Sequence, residues 1–184
     1  MRRRDAVHLV LVVVALAALG ALAGAVWQWL WTPTMGVVVD HRWTAGDAIG
    51  LQHEFAGTGW YVAIGTVAGL VAGVAAALLV DRQPLGTLAA VLVGSVLGAW
   101  LMVVVGTALG PADPTVLART AADGTRLPMQ LSVSGHGPLI AYPGGALLGL
   151  MVVFVGLSAR TRPDRSEGQP HTSPESPTDV GVAG

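Results

Sequence analysis

The residues able to do chemistry are concentrated in two segments of the sequence, 32–59 and 111–136. They include the metal-capable side chains His41, His53, Glu54 and His136. Imidazole and carboxylate groups bind zinc or copper, so His53 and Glu54 with either other histidine are the candidates for a metal site. Their spacing matches no ligand motif such as HExxH, and a solvated polar loop is the competing interpretation. The pattern therefore predicts no bound metal, no cofactor and no catalytic residue.

The composition narrows the possible chemistry further. The chain of 184 residues contains no cysteine, which excludes thiol catalysis, cysteine-bound zinc and disulfides. Its formal net charge of -1 provides no overall basic field, so nucleic acid is not an expected partner. Only 11% of its residues are charged, against about 25% in an ordinary soluble domain.

Four long apolar stretches separate and flank these segments, and they must position the polar residues. They contain no Asp, Glu, Lys or Arg and run over Ala6–Trp31, Trp60–Val80, Pro84–Gly110 and Gly137–Ser158. About 20 helical residues cross a hydrocarbon core of ~30 Å, and a soluble helix would need a polar face. The predicted fold class is an all-α membrane protein, a four-helix transmembrane bundle in contact with the lipid bilayer.

The predicted organisation is one membrane domain over residues 1–158 and a tail over 159–184. The first stretch begins like a signal peptide, with Met1-Arg-Arg-Arg4, but its apolar run exceeds the 7–15 residues typical of such a region. We therefore expect an uncleaved span. The tail is rich in Pro, Ser, Thr and Glu and is expected to be disordered, because it has little apolar surface to bury.

The arginines predict the orientation of the bundle. With a cytoplasmic N-terminus, seven lie on inner segments and three in the outer loops, as the positive-inside rule requires. The inner residues are Arg2, Arg3, Arg4, Arg82, Arg160, Arg162 and Arg165, and the outer ones are Arg42, Arg119 and Arg126. Tryptophans and tyrosines near the outer ends of the spans are interpreted as an interfacial belt. The prediction is a bacterial plasma-membrane protein with both termini cytoplasmic.

Glycines at four-residue spacing recur in all four spans. The predicted helix-packing residues are Gly20, Gly24, Gly65, Gly69, Gly73, Gly94, Gly98, Gly106, Gly145 and Gly149. Residues four apart share a helix face, so each span offers a smooth strip for close backbone approach. Packing within one bundle is the favoured interpretation, and a homo-oligomer or a groove for another membrane protein is the alternative.

The outer loops carry weaker structural signals. Met35–His41 has the composition of a strand, and Met129–Ser134 alternates apolar and polar residues, so the two runs would pair as a small β-like cap. Asp113 is placed to cap a helical turn that ends near Ala118. Pro143 predicts a kink or a late helix start in the fourth span.

Several short motifs carry a family resemblance. Gly36-Val-Val-Val39 follows the first span, Ala48-Ile-Gly50 leads to the second, and Ala141-Tyr-Pro143 enters the fourth. With the glycine helix and the Gly94–Pro111 segment, they make residues 30–157 resemble a family of actinobacterial four-span membrane proteins known as a domain of unknown function. An acidic residue often precedes the glycine entering span two of that family, whereas Thr58 stands here. The resemblance implies membrane topology and no catalytic residues.

Three functions follow as hypotheses. The leading one is a non-enzymatic accessory or assembly component of the plasma membrane. A small transporter or channel subunit would instead need a water-filled cavity lined by Gln28, Thr66, Ser95 or Thr107, because the spans contain no charged residue. A membrane enzyme or metal-binding protein would need His53, Glu54 and His136 to converge in the outer region.

Overall fold

The computed structural model describes residues 3–45, 48–79 and 84–160, and the side chains within 6–45, 56–78 and 85–156. Its helices are α1 (Arg3–Leu30), α2 (Ala48–Leu79), α3 (Pro84–Leu109), α4 (Pro114–Ala118) and α5 (Ala141–Arg160). Four of them, all but α4, are long and apolar enough to cross a membrane. In lipid the backbone must satisfy its own hydrogen bonds, so an apolar stretch of this length folds as a helix.

Helix boundaries differ from the predicted spans by more than three residues at two places. Helix α2 begins at Ala48, ahead of the predicted span, so its first turns extend beyond the apolar window that starts at Ala56. The fourth span starts late, as Pro143 predicted: a 3₁₀ turn at Gly137–Ile140 precedes α5, and the proline lies in the first turn of α5. Backbone N–H groups of a first turn have no partner within the helix, so proline costs little there.

Helices that are not consecutive in the sequence make the closest packing. Helix α1 packs on α3, and α2 packs on α5, whereas the consecutive helices α2 and α3 touch little. Both close pairs are parallel, because consecutive long helices run in opposite directions and alternate ones run in the same direction. Each helical hairpin of the chain therefore contributes one helix to each pair.

The glycine strips form these two contacts. Each of the ten predicted glycines has an atom of another helix within 4 Å of the place a Cβ would occupy. At Gly20 and Gly73, the nearest atom is a backbone carbonyl oxygen, of Gly98 and Ala146 respectively. The same holds for Gly145, which faces the carbonyl of Thr66. Such approach permits Cα–H···O contacts, which partly replace the hydrophobic drive that lipid removes.

A three-stranded antiparallel sheet closes one end of the bundle, and we call this sheet together with α4, which contacts it, the cap. Its strands are β1 (Met35–Val39), β2 (Arg42–Ala45) and β3 (Arg126–Pro128), in the order β2-β1-β3. Gly36 pairs with Leu127 of β3 and with Ala45 of β2. The predicted pairing of strands from the two outer loops is therefore present.

The position of the second predicted strand is wrong. The strand is Arg126–Pro128, and residues 129–134 form none. The alternation in that run has another cause: Leu131 is buried against the helices and Val133 packs on the same cluster, whereas Ser132 and Ser134 are exposed. Alternation thus shows that one side of a segment is buried. An irregular segment that lies on a helix bundle has this pattern, and so does a β-strand.

Candidate functional site

The tip of the β1–β2 hairpin holds one of the four metal candidates. Asp40 and His41 both have positive φ, 51° and 56°, which is the backbone of the two-residue hairpin turn whose twist matches the strands. The His41 backbone N–H donates to a carboxylate oxygen of Asp123 at 3.3 Å, and Val38 exchanges backbone hydrogen bonds with the same loop. His41 is therefore exposed at a tip that the second outer loop holds in place.

The other metal candidates occupy different elements. His136 is exposed and precedes the 3₁₀ turn, where its side chain makes no capping bond. His53 and Glu54 lie in the first turns of α2, and their side chains are outside the described part of the molecule. Among the side chains that the structure describes, no three histidine, aspartate or glutamate residues come together as a metal site.

Asp113 stabilises the beginning of the short helix α4. Helix α3 ends at Leu109, and Asp113 caps α4, as predicted, by accepting hydrogen bonds from the Thr115 backbone N–H at 2.8 Å and hydroxyl at 2.6 Å. The Thr115 hydroxyl bond, followed by the backbone bond, lowers the pKa of the Asp113 carboxyl below its ordinary value. A carboxyl with a lowered pKa stays ionised at neutral pH, which suits a cap and not a general acid.

An aromatic cluster lies directly beneath the cap, inside the bundle. The Trp27 indole N–H donates to the Gly57 carbonyl at 2.8 Å, and its ring meets the Tyr61 ring edge-on at 5.2 Å between centroids. The Tyr142 hydroxyl crosses the bundle to donate to the Leu16 carbonyl at 2.8 Å. These three side chains are fully buried. They join α1, α2 and α5 into one unit.

This cluster corrects the interpretation of the aromatic residues as an interfacial belt. Trp27, Trp31, Tyr61 and Tyr142 are buried, and Trp29 and Trp60 are exposed. The sequence did contain the signal, because Tyr61 precedes Gly65, Gly69 and Gly73 on the same four-residue register. A residue that continues a glycine strip must face the same neighbour as the glycines do.

The polar span residues Ser95 and Thr107 are satisfied within their own helix, and Thr66 is exposed. Ser95 is buried, and its hydroxyl donates to the Leu92 carbonyl of its own helix at 3.0 Å. Thr107 likewise donates to Val103 at 2.8 Å, whereas Thr66 is exposed on the outside of α2. None of them lines either of the two grooves described next, and neither does Gln28.

Two grooves separate the α1–α3 pair from the α2–α5 pair. The α1–α2 groove has a volume of about 470 Å³, and Leu11, Ala15 and Leu19 of α1 face Ala72 and Ala75 of α2 across it. The α3–α5 groove, of about 520 Å³, lies between Trp100 on α3 and Pro143 on α5. All their lining residues are apolar except His8, which lines the α1–α2 groove.

The cap itself exposes apolar side chains. Met35 and Val39 of β1 are 58% and 51% exposed, while Val38 between them is fully buried. Val116 of α4 is 58% exposed, and its neighbour Leu117 is exposed too. The cap is thus a small ordered surface, tied to the bundle beneath it, whose exposed side includes apolar residues.

Comparisons with protein-family models, with curated proteins and with solved structures found no match for this chain.

Proposed function

We propose that this protein is a non-enzymatic accessory or assembly component of a bacterial plasma membrane that presents its cap to a membrane-protein partner. The observation that carries the proposal is the exposure of Met35, Val39 and Val116 on an ordered cap. An apolar patch exposed on an ordered surface characterises sites that bind other proteins, and Met35 and Val39 lie on the same exposed face of β1. The resemblance to the actinobacterial four-span family agrees with this proposal and adds no activity to it.

The packing of the bundle supports a structural role. The two helix pairs are in backbone contact through their glycines, which leaves little freedom for one helix to slide past another. Among the described side chains, every buried nitrogen or oxygen atom has a hydrogen-bond partner. A transport pathway would need polar groups left for a substrate or for water. The glycine faces are also occupied within the chain, so a homo-oligomer would have to use other surfaces.

The proposed orientation places the cap outside the cell and both termini in the cytoplasm. Its support is the seven-to-three distribution of arginines between the two sides of the membrane. The partner would then be the outer portion of another membrane protein, because the cap stands at the membrane surface.

Photo-crosslinking in native membranes tests the proposal. A photoreactive amino acid replaces Val39 or Val116, and the matched control carries it at Thr120, which is exposed on the same cap. The proposal expects one and the same protein to be captured from both apolar positions and not from Thr120. Capture should fall when the other apolar position is changed to glutamate. Equal capture from all three positions, or none, contradicts a docking role for the cap.

A further inference from the structure

The α1 wall of the α1–α2 groove is about as long as one membrane leaflet is thick. This wall runs from His8 to Leu19, which is about 16 Å at 1.5 Å per helical residue. Half of a hydrocarbon core of ~30 Å is nearly the same length. The α1 wall thus extends from near Ala6, where the apolar window of α1 begins, to about the middle of that window.

Small residues give the groove its depth. Ala72 and Ala76 are buried in its floor, and Ala15 and Ala75 are exposed on its walls. The volume of about 470 Å³ lies within the range of ~300–1,000 Å³ that holds bound ligands. Because α1 and α2 are long and apolar enough to span a membrane, the medium facing this groove is lipid hydrocarbon. An acyl chain is therefore the occupant that its walls fit.

The residues at the N-terminal end of the groove favour a lipid with a negatively charged headgroup. His8 is the one polar residue lining the groove and lies at its end, where an imidazole N–H can donate to a phosphate oxygen. Residues 2–5, which precede it, contain three arginines and one aspartate. A segment of net positive charge next to an apolar span attracts anionic lipids.

We propose that the α1–α2 groove binds one acyl chain of an anionic phospholipid, from the leaflet on the side of the N-terminus, with its phosphate at His8. The site is distinct from the cap, and it stands whether or not the cap binds a protein. By filling the groove, the lipid joins the two close helix pairs on a side where α1 and α2 pack less closely than α1 and α3 do.

Lipid retention in nanodiscs tests the site. The full chain is placed in discs of phosphatidylcholine and phosphatidylglycerol, and native mass spectrometry counts the lipids that stay bound after the disc is released. The wild type should retain one phosphatidylglycerol. Ala15→Phe and Ala75→Phe put a ring into the groove and should abolish this retention. The matched control is Ala18→Phe, on the same helix, exposed and outside the groove.

His8→Leu tests the headgroup contact separately from the groove. It should lower the preference for phosphatidylglycerol over phosphatidylcholine by about five-fold, as expected for one lost hydrogen bond, while one lipid is still retained. Circular dichroism verifies that each variant keeps its helices. Equal retention by Ala15→Phe and Ala18→Phe would overturn the site. A wild type that retains the two lipids in the proportion of the disc would overturn the anionic headgroup.

Discussion

Replacing Gly145 by alanine tests the contact between α2 and α5 at one atom. A Cβ at this position would overlap the Thr66 carbonyl oxygen and lie 3.1 Å from the Leu70 nitrogen. Both are backbone atoms of a helix and cannot rotate away as a side chain would. The helices must therefore move apart and lose the close contacts along their interface. Overpacking of this kind costs about 1–3 kcal/mol.

Gly144 supplies the matched control. It is the preceding residue of α5, and a Cβ there would meet nothing within 4 Å. Alanine is a better helix former than glycine by up to about 1 kcal/mol, and this gain is common to both variants. The difference in unfolding free energy between Gly145→Ala and Gly144→Ala therefore isolates the steric cost, which we expect to be about 1–3 kcal/mol.

The assay is reversible unfolding in mixed micelles by titration with a denaturing detergent, followed by circular dichroism and tryptophan fluorescence. Gly73→Ala adds a second test, because its Cβ would overlap the Ala146 carbonyl in the same interface. Once one substitution has separated the helices, the other costs less, so the double variant should lose less stability than the two single losses combined. If Gly145→Ala were as stable as Gly144→Ala, the backbone contact between α2 and α5 would be refuted.

The other predictions concern hydrogen bonds, pH and orientation. Tyr142→Phe removes the 2.8 Å bond to Leu16 and should cost about 1 kcal/mol in the same assay, with a smaller loss for Tyr61→Phe, whose bond to Ala99 is 3.3 Å. An equal loss for both would contradict the geometry. Because hydrogen bonds lower the Asp113 pKa, its capping stabilisation is present above the pKa of the unfolded chain and is lost as pH falls through the folded value. Hydrogen exchange of the Thr115 amide should therefore show extra opening in acid, and Asp113→Asn should remove that pH dependence. The chain has no cysteine, so a cysteine placed at Thr120 should react with an impermeant maleimide in intact cells, and one at Ser166 should react after permeabilisation. The reverse pattern would invert the proposed orientation.

The sequence predicted the outer cap in part. A strand in the first loop, its pairing with the second loop and the Asp113 cap all follow from local composition and turn chemistry. The exact partner strand did not follow, because Leu131 alternates with its neighbours for burial against helices and not for pairing in a sheet. A residue pattern reports which side of a segment is buried, and what covers that side is a tertiary fact.

For the candidate metal ligands, the sequence gives the residue types, and the fold determines where these residues lie. The sequence identified the histidines and acids of the outer loops, yet their positions depend on turns and helix starts far apart in the chain. Positive φ at His41 places this residue at a hairpin tip. His53 and Glu54 belong to a helix that begins at Ala48. Neither feature has a spacing that a linear motif would show.

The sequence by itself determined that four helices form and that their glycine faces are contact faces, because lipid leaves an uncharged stretch of 20 or more residues no other way to satisfy its backbone. Only the tertiary structure decided which helix meets which. The same strip of glycine suits any neighbour with a smooth face, so the pairing of α1 with α3 and of α2 with α5 depends on where larger side chains fit. Tyr142 and Trp27 are two of these, each reaching a backbone carbonyl on another helix.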